Sequence, residues 1–420
     1  MEARYRSTLW ACCFANFFQA VGSCFAILYV PLRGLYGLSF TDFGILVSLN
    51  FITQVASDVL FSKPVEKYGF RPFAVAAPLV SAAGLGLFAA APLLFPRRPF
   101  AGFCAGMFLF AAAGGLQELL LSPILDALPI PEERKARSMS MLHSFFAWGQ
   151  IFVVLATTGL LAVWGAARWQ WIVLLWAAPP VAGAALFCRV PLARKNGGPP
   201  PLPLRALARK GVFYALLAAI VLGGAAEVTM AQWASAFLEK GLRLPKLAGD
   251  VWGVCFFSLM LALGRSGYAA LGARVPLHRL LIGGSGAAAV LYVVCALAQS
   301  PLLGVLACGL TGLCVSLLWP GAIILASRRI PSAGAAMFAL LSAGGDVGAS
   351  LGAFCVGRAA DWAQASGTVF AGAAGESGAL RAGLLLAAVF PLLCCGVHTA
   401  LHCSEARAGL PARGERRHGQ

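Results

Sequence analysis

Charged side chains are scarce in this chain of 420 residues, since only 11% are Asp, Glu, Lys or Arg. Soluble domains carry about 25% charged residues, so a soluble multidomain enzyme is excluded. The hydrophobic fraction of 60% excludes a disordered or fibrous chain. The short segments of alternating polarity that mark a membrane β-barrel are also missing. The composition therefore predicts a polytopic membrane protein built of helices.

Several chemical signatures are absent from the sequence as well. None of the 13 cysteines forms a C-x-x-C pair, and their odd number argues against a complete disulfide framework. No Gly-rich phosphate-binding loop with a lysine is present, so ATP-driven transport by this chain alone is not expected. The apolar run that follows Arg6 is longer than the roughly 7–15 residues of a signal peptide core, so it is interpreted as a first span. We expect no cofactor and no metal.

Apolar runs long enough to cross a bilayer are abundant. A span needs about 20 apolar residues, and twelve runs meet this requirement: residues 8–31, 40–62, 72–95, 99–125, 138–163, 169–190, 211–236, 247–270, 280–298, 301–326, 334–360 and 381–403. A Pro-rich, basic stretch separates the sixth run from the seventh. The predicted domains are an N-terminal six-helix bundle (1–190), a linker (191–210), a C-terminal six-helix bundle (211–403) and a tail (404–420).

The basic residues are distributed unevenly between the loops. Of 32 Lys and Arg residues, 22 fall on one side of the predicted membrane, 8 on the other and 2 within spans. Because basic loops stay in the cytoplasm, both termini and the linker are expected there. The formal charge of +16 then reflects topology and no nucleic-acid partner. We expect a monomer, embedded in the lipid bilayer of the plasma or inner membrane.

The two halves share a short sequence repeat. Residues 115–123 read GLQELLLSP and residues 312–320 read GLCVSLLWP, with five of nine positions identical. The two segments lie in the fourth and tenth runs, which occupy corresponding places in the halves and run in the same direction. Parallel repeats of this kind are typical of transporters with two six-helix halves.

Three motifs carry a resemblance to a known family. The second loop, SKPVEKYGFR at residues 62–71, is similar to the loop between helices two and three of the major facilitator superfamily, with Ser62 and Glu66 where Gly and Asp are usual. Residues 141–149 (MLHSFFAWG) and 224–233 (GAAEVTMAQW), with Gly345-Asp346, resemble its fucose-permease-like sugar:proton symporter branch. The resemblance implies two pseudo-symmetric six-helix bundles, alternating access and proton-coupled uptake of a sugar.

Ionisable groups inside spans are costly, so each is a functional candidate. Glu118 in the fourth span and Glu227 in the seventh are proton-coupling candidates, because a carboxylate takes up a proton when buried and releases it when opened to water. The resemblance places helices one, four, seven and ten around a central cavity and an acid in helix four, close to Glu118. The alternative is a structural partner role for both acids. For Glu227, either this side chain alone points inward or the helix breaks near Gly223-Gly224.

Amide, imidazole and indole side chains inside the spans are the substrate-binding candidates, because they suit the hydroxyls and ring faces of a sugar. They are Asn16, Gln19, Gln117, His143, Gln150, Gln232, Trp233 and Trp319. Hydrogen bonding between helices or aromatic packing is the structural alternative for each, and for His143, Trp233 and Trp319 it is preferred. The first span lacks the acid that the branch often carries.

A further group of charged residues suits a cytoplasmic gate. These gating candidates are Asp58, Glu66, Lys67, Arg71, Arg265 and Asp346. An acid and bases on a tight glycine turn can form ion pairs that lock two helix ends in one state. Asn50, Gln54 and Asp58 step by four and form one polar stripe on the second span.

Two enzyme-like patterns are weak. Ser285 lies in a loose G-x-S-x-[GA] protease pattern without an evident base, and His398 and His402 have a metal-ligand spacing without an evident third ligand. We therefore expect a membrane transporter, not an enzyme, that takes up a sugar or similar small polar solute with protons. Proton-coupled efflux of a lipophilic or organic compound is the alternative, and a polytopic intramembrane enzyme or sensor is a remote one.

Overall fold

The computed structural model describes residues 3–128, 132–192, 207, 209–271, 276–330 and 334–407. Within these residues, twelve helices are long and apolar enough to cross a membrane, which confirms the predicted number of spans. The chain divides into two compact units, Met1–Pro199 and Pro200–Gln420. The boundary falls inside the predicted linker, most of which lies outside the described residues.

Each unit contains six of the spans. In the first unit, span 1 is Ala3–Gln19 and Cys24–Tyr36 joined by a 3₁₀ turn, and spans 2 to 6 are Phe40–Tyr68, Phe70–Leu94, Pro99–Asp126, Glu132–Trp164 and Trp169–Arg189. In the second unit, span 7 is Gly211–Ala236 followed by π-helical Phe237–Gly241, and span 8 is Lys246–Gly249, π-helical Asp250–Cys255 and Phe256–Leu271. Spans 9 and 11 are the single helices Leu277–Leu297 and Gly334–Ala365. Span 10 consists of Pro301–Val315 and Leu318–Arg329, and span 12 of Gly375–Ala387 and Val389–Arg407. The β pairing in the described ranges is a single bridge between Phe370 and Ala373, so the fold is all-α, as predicted.

The turn between spans 1 and 2 is specified by local chemistry. The helix continues five residues past the predicted end at 31, because membrane helices accommodate an internal proline such as Pro31. It ends at Gly37, whose φ of 67° is the left-handed conformation of a helix C-cap. Span 2 then begins with a capping box, in which the Ser39 hydroxyl accepts from the Asp42 N–H at 2.9 Å and the Asp42 carboxylate accepts from the Ser39 N–H at 2.8 Å.

Glycines bring pairs of spans into backbone contact in both units. A Cβ added to Gly149 in span 5 would overlap the Phe17 carbonyl of span 1, and one added to Gly348 in span 11 would overlap the Val221 carbonyl of span 7. Spans 1 and 7 occupy the same place in their units, as do spans 5 and 11. Close approach through small residues is the usual packing of membrane helices.

The sequence repeat has a structural counterpart. A Cβ on Gly115 of span 4 would lie 2.6 Å from the Gln54 carbonyl oxygen of span 2, and one on Gly312 of span 10 would overlap the Phe257 carbonyl of span 8. The repeated glycine therefore packs its span onto the second span of its own unit in both halves. The repeated proline acts differently, since the span 4 helix continues past Pro123 whereas span 10 is broken just before Pro320.

We predict that Gly149→Ala lowers the stability of the first unit by about 1–3 kcal/mol, the usual cost of overpacking, because the added methyl group would force spans 1 and 5 apart. The melting temperature of the purified protein in detergent, followed by tryptophan fluorescence, measures this effect.

Gly159→Ala is the matched control, since it lies on the same helix and a Cβ there meets nothing within 4 Å. It should be neutral or stabilise by about 0.5–1 kcal/mol, because alanine favours a helix over glycine. Equal melting temperatures for the two variants would contradict the proposed backbone contact.

Candidate functional site

Amide side chains of spans 1 and 4 meet in the first unit. The Gln117 amide nitrogen donates to the Ala15 carbonyl at 3.0 Å and to the Gln19 side-chain oxygen at 3.4 Å. Asn16 is buried and donates to the Leu142 carbonyl of span 5 at 2.8 Å. Gln19 and Gln117 therefore form one half-buried amide pair, whereas Asn16 joins spans 1 and 5 and does not share the pair's face.

Two carboxylates lie one helical turn beyond the contact between spans 2 and 4. These spans run in the same direction, because one antiparallel span separates them along the chain. Gln54 touches Gly115, so the residues one turn further along each helix, Asp58 and Glu118, are brought close together. Their carboxylates interact electrostatically. We call Asp58 and Glu118 the carboxylate pair.

The carboxylate pair has no compensating cation among the side chains that the structure describes. The Asp58 Oδ1 atom is buried without a hydrogen-bond partner in this part of the molecule, whereas Glu118 is exposed. Glu118 lies about two turns before the end of its apolar segment at Leu125. A carboxylate at that depth would be strongly disfavoured by lipid, so water or another polar group is expected at its exposed face.

The second unit has a different charge arrangement. The Arg265 guanidinium of span 8 donates to the Glu227 carboxylate of span 7 at 2.7 Å and, through Nε, to the Ser316 carbonyl of span 10 at 3.1 Å. Glu227 is therefore neutralised by an ion pair. Its second oxygen, Oε2, is buried without a partner among the described residues.

The break in span 10 explains why Arg265 reaches a backbone carbonyl. A proline removes the N–H that would bond to the carbonyl four residues earlier, and for Pro320 that carbonyl belongs to Ser316. The helix ends at Val315 and restarts at Leu318, and Arg265 occupies the freed oxygen. The sequence left open either a break near Gly223-Gly224 or a regular span 7. Span 7 is continuous at these glycines, and the broken helix is instead span 10.

The aromatic candidates of the second unit serve packing in this structure. Trp233 is 0% exposed and its indole N–H donates to the Ala353 carbonyl at 3.3 Å. Trp319 is half-buried and lies against Gly224 and Gly345. Trp233 thus offers no face to a solute here, because spans 7 and 11 pack through it. Gln232 is half-buried.

The gating candidates at the turn between spans 2 and 3 contact different groups. Arg71 donates to the carbonyls of Phe187, Cys188 and Val190 at 3.1, 2.7 and 2.9 Å, so it caps the end of span 6, where a cation is favoured by the free carbonyls. Lys67 lies over the Tyr68 ring at 5.0 Å. The side chain of Glu66 is outside the described residues.

Three further candidates, in spans 5 and 11, remain to be placed. Asp346 is buried in span 11, and Gln150 is half-buried beside Gly149 in span 5. The His143 side chain lies outside the described residues.

Sequence reasoning missed the partners that meet in two polar clusters of the second unit, although it had singled out His402 for its spacing from His398. Lys246 pairs with Asp250 at 2.6 Å and donates to Ser235 at 3.2 Å, where the i,i+4 spacing was an available signal. The second cluster joins His278 and His402 to Glu405 and Arg329. His278 lies more than 100 positions before His402 and Glu405 along the chain, so no local pattern could reveal that they meet.

Comparison with known proteins gives the family. The Major Facilitator Superfamily model matches residues 9–353. The chain belongs to the Major Facilitator Superfamily. No curated protein matches it in sequence.

Solved structures of similar fold are major facilitator transporters of low sequence identity. One is a bacterial homolog of the human lysosomal transporter Spinster, inward-facing and occupied, with a TM-score of 0.77, 12% identity and coverage of 96% of this chain and 98% of that one. A second is a D-xylose-proton symporter, with a TM-score of 0.71, 15% identity and coverage of 93% of this chain and 97% of that one. A third is the nucleoside transporter NupG, with a TM-score of 0.70, 13% identity and coverage of 94% of this chain and 98% of that one. At such identities, the likeness shows the fold alone.

Membership of the Major Facilitator Superfamily identifies a multi-pass membrane transporter and not an enzyme. The geometry of Ser285 agrees, because its buried hydroxyl donates to the Leu281 carbonyl of its own helix at 2.6 Å. Such back-bonding is common for serine within a helix. The serine therefore serves its own helix backbone.

We predict that Arg265→Gln lowers stability by about 2 kcal/mol, less than the roughly 3–5 kcal/mol for a fully buried pair, because Arg265 is 38% exposed. The change leaves the Glu227 charge uncompensated and the Ser316 carbonyl free. Thermal unfolding in detergent measures the loss.

The double variant Glu227→Gln, Arg265→Gln is the matched control for charge. It should recover part of the stability lost in the single variant, because no isolated carboxylate remains. Additive losses in the two single variants and the double variant would contradict the ion pair.

Proposed function

We propose that this transporter couples the uptake of a small polar solute, a sugar or a related compound, to protons by alternating access, with the carboxylate pair as the protonation site. The observation that carries the proposal is the pair itself: Asp58 and Glu118 lie close together inside the spans without a described cation. Two such groups resist being ionised together in a medium of low dielectric constant. A proton shared between them restores a single negative charge.

The exposure of Glu118 gives the pair a route to the proton. Glu118 as a residue is exposed, whereas the Asp58 Oδ1 atom is buried. Glu118 is therefore the group that exchanges protons with water, and Asp58 is a positioning residue that disfavours the fully ionised state. Glu227 is assigned a structural role in this scheme, because Arg265 already compensates its charge.

The amide pair supports a polar solute. Gln117 is adjacent to Glu118 along span 4, so one helix presents both an amide and the protonation site. Amides donate and accept hydrogen bonds, which suits neighbouring hydroxyl groups. Among solved structures of similar fold are a D-xylose-proton symporter and a nucleoside transporter, whose solutes are polar and hydroxylated. We also propose an inner or plasma membrane location, in which the distribution of basic loops supports cytoplasmic termini.

Proteoliposomes carrying a pH-sensitive dye test the proposal. We expect one member of a panel of xylose, fucose, glucose, ribitol and uridine to drive proton movement through the wild-type protein. Glu118→Gln should abolish solute-driven proton movement and reduce accumulation against a gradient at least about tenfold, which corresponds to a loss of about 1.4 kcal/mol of driving free energy. Exchange of labelled for unlabelled solute should persist, because it needs no net proton transfer.

Asp58→Asn and Glu376→Gln complete the series. Asp58→Asn should weaken coupling, whereas Glu376→Gln, a carboxylate change at the start of span 12, should match the wild type. Proton movement that persists in Glu118→Gln would overturn the assignment of the pair. Expulsion of ethidium without proton movement by any solute of the panel would instead identify efflux of an organic compound.

A further inference from the structure

A cluster of metal-ligating side chains joins the ends of three spans in the second unit. His278 lies at the start of span 9, His402 and Glu405 at the end of span 12, and Arg329 at the end of span 10. One ligand atom from each of His278, His402 and Glu405 lies within 4.8 Å of the others. The two imidazole rings are 5.0 Å apart, and His278 Nε2 contacts a Glu405 oxygen.

The Glu405 carboxylate is held in a defined orientation. Arg329 Nε donates to its Oε1 atom at 2.5 Å, and the same guanidinium donates to the Leu401 carbonyl at 3.0 Å. The second oxygen, Oε2, faces His278. A carboxylate ligand fixed by a hydrogen bond to its other oxygen is a common arrangement around protein-bound metals.

A second observation at the same place concerns His398. It lies one turn before His402 on the same helix face, is 0% exposed, and neither ring nitrogen has a hydrogen-bond partner among the described residues. His402 in turn lies beside His278, with the ring centroids 5.0 Å apart. Buried polar atoms are rarely left without partners, so an imidazole of this kind beside two others points to a missing ligand.

We propose that His278, His402 and Glu405 bind a divalent transition-metal cation of the Zn²⁺ type, with His398 as a buried neighbour that can supply a further nitrogen. Imidazole nitrogens and a carboxylate oxygen are the ligands that Zn²⁺ takes in three-ligand sites, at about 2.0–2.2 Å. Ligand atoms around a tetrahedral ion lie about 3.3 Å apart on that basis. The ligand atoms lie within 4.8 Å of one another, so the proposed site requires them to move closer by rotation of the exposed His402 and of the half-buried His278 and Glu405.

The site would fix the end of span 12 to the start of span 9. Arg329 already joins the end of span 10 to span 12. A bound cation would therefore couple three span ends of the second unit, on the side that the basic loops predict to be cytoplasmic. This inference does not depend on the proposed solute or on the carboxylate pair.

Titration of the purified full-length protein, prepared without a polyhistidine tag, tests the site. We expect calorimetry to show one equivalent of saturable Zn²⁺, and Co²⁺ to give the visible absorption of a site with low coordination number. His402→Ala and Glu405→Gln should weaken Zn²⁺ binding by about 100-fold or more, because loss of a residue that only supports a ligand already costs about 10–100-fold. Zn²⁺ should also raise the melting temperature of the wild type alone.

His418→Ala is the matched histidine control and should bind Zn²⁺ like the wild type. Binding should weaken as the pH falls, because imidazoles must be unprotonated to bind a metal. Absence of saturable Zn²⁺ and Co²⁺ binding by the wild type would overturn the proposal and leave a proton-sharing His278–Glu405 contact. Unchanged affinity in folded His402→Ala and Glu405→Gln proteins would overturn it as well.

Discussion

A bilayer offers no water to backbone or charged groups, so a polar atom that faces lipid is stabilised only by a partner within the protein. The Arg265 guanidinium meets this requirement twice. It bonds to the carbonyl that Pro320 leaves free in span 10, and it balances the charge of Glu227 in span 7. Spans 7, 8 and 10 are joined at one point as a result. The broken helix and the buried acid are each costly alone, but one cation stabilises both.

The two units share their packing and differ in their chemistry. In both, a repeated glycine packs the fourth span of the unit onto the backbone of the second. Three residues after that glycine, the first unit has Glu118 and the second has Val315. The first unit thus holds two acids without a described cation, and the second holds an acid with its arginine. A duplicated scaffold can diverge in this way, because helix packing depends on the small residues and leaves neighbouring positions free to change.

Some polar side chains of the spans are held by hydrogen bonds to neighbouring spans, and others keep surface that a solute can reach. Asn16, Trp233 and Arg71 bond to backbone carbonyls of neighbouring spans, which restricts their freedom to bind a solute. Gln19, Gln117 and Glu118 retain accessible surface. Tertiary structure and not residue type therefore decides which partner each of these residues has, since Gln117 also donates to a backbone carbonyl, that of Ala15. The same holds for histidine, since only the packing of the start of span 9 against the end of span 12 brings His278 beside His402.

The number of spans, the all-helical fold and the family motifs could be read from the sequence, because a span of apolar residues is a local property of the chain. The parallel repeat was visible for the same reason, since Gly115 and Gly312 stand at fixed positions within their segments. Pairings between spans were not local. The contacts of Asp58 with Glu118, of Glu227 with Arg265, and of His278 with Glu405 join residues that are 38 to 127 positions apart. Tertiary structure alone decided them, because helix packing determines which faces of distant spans meet.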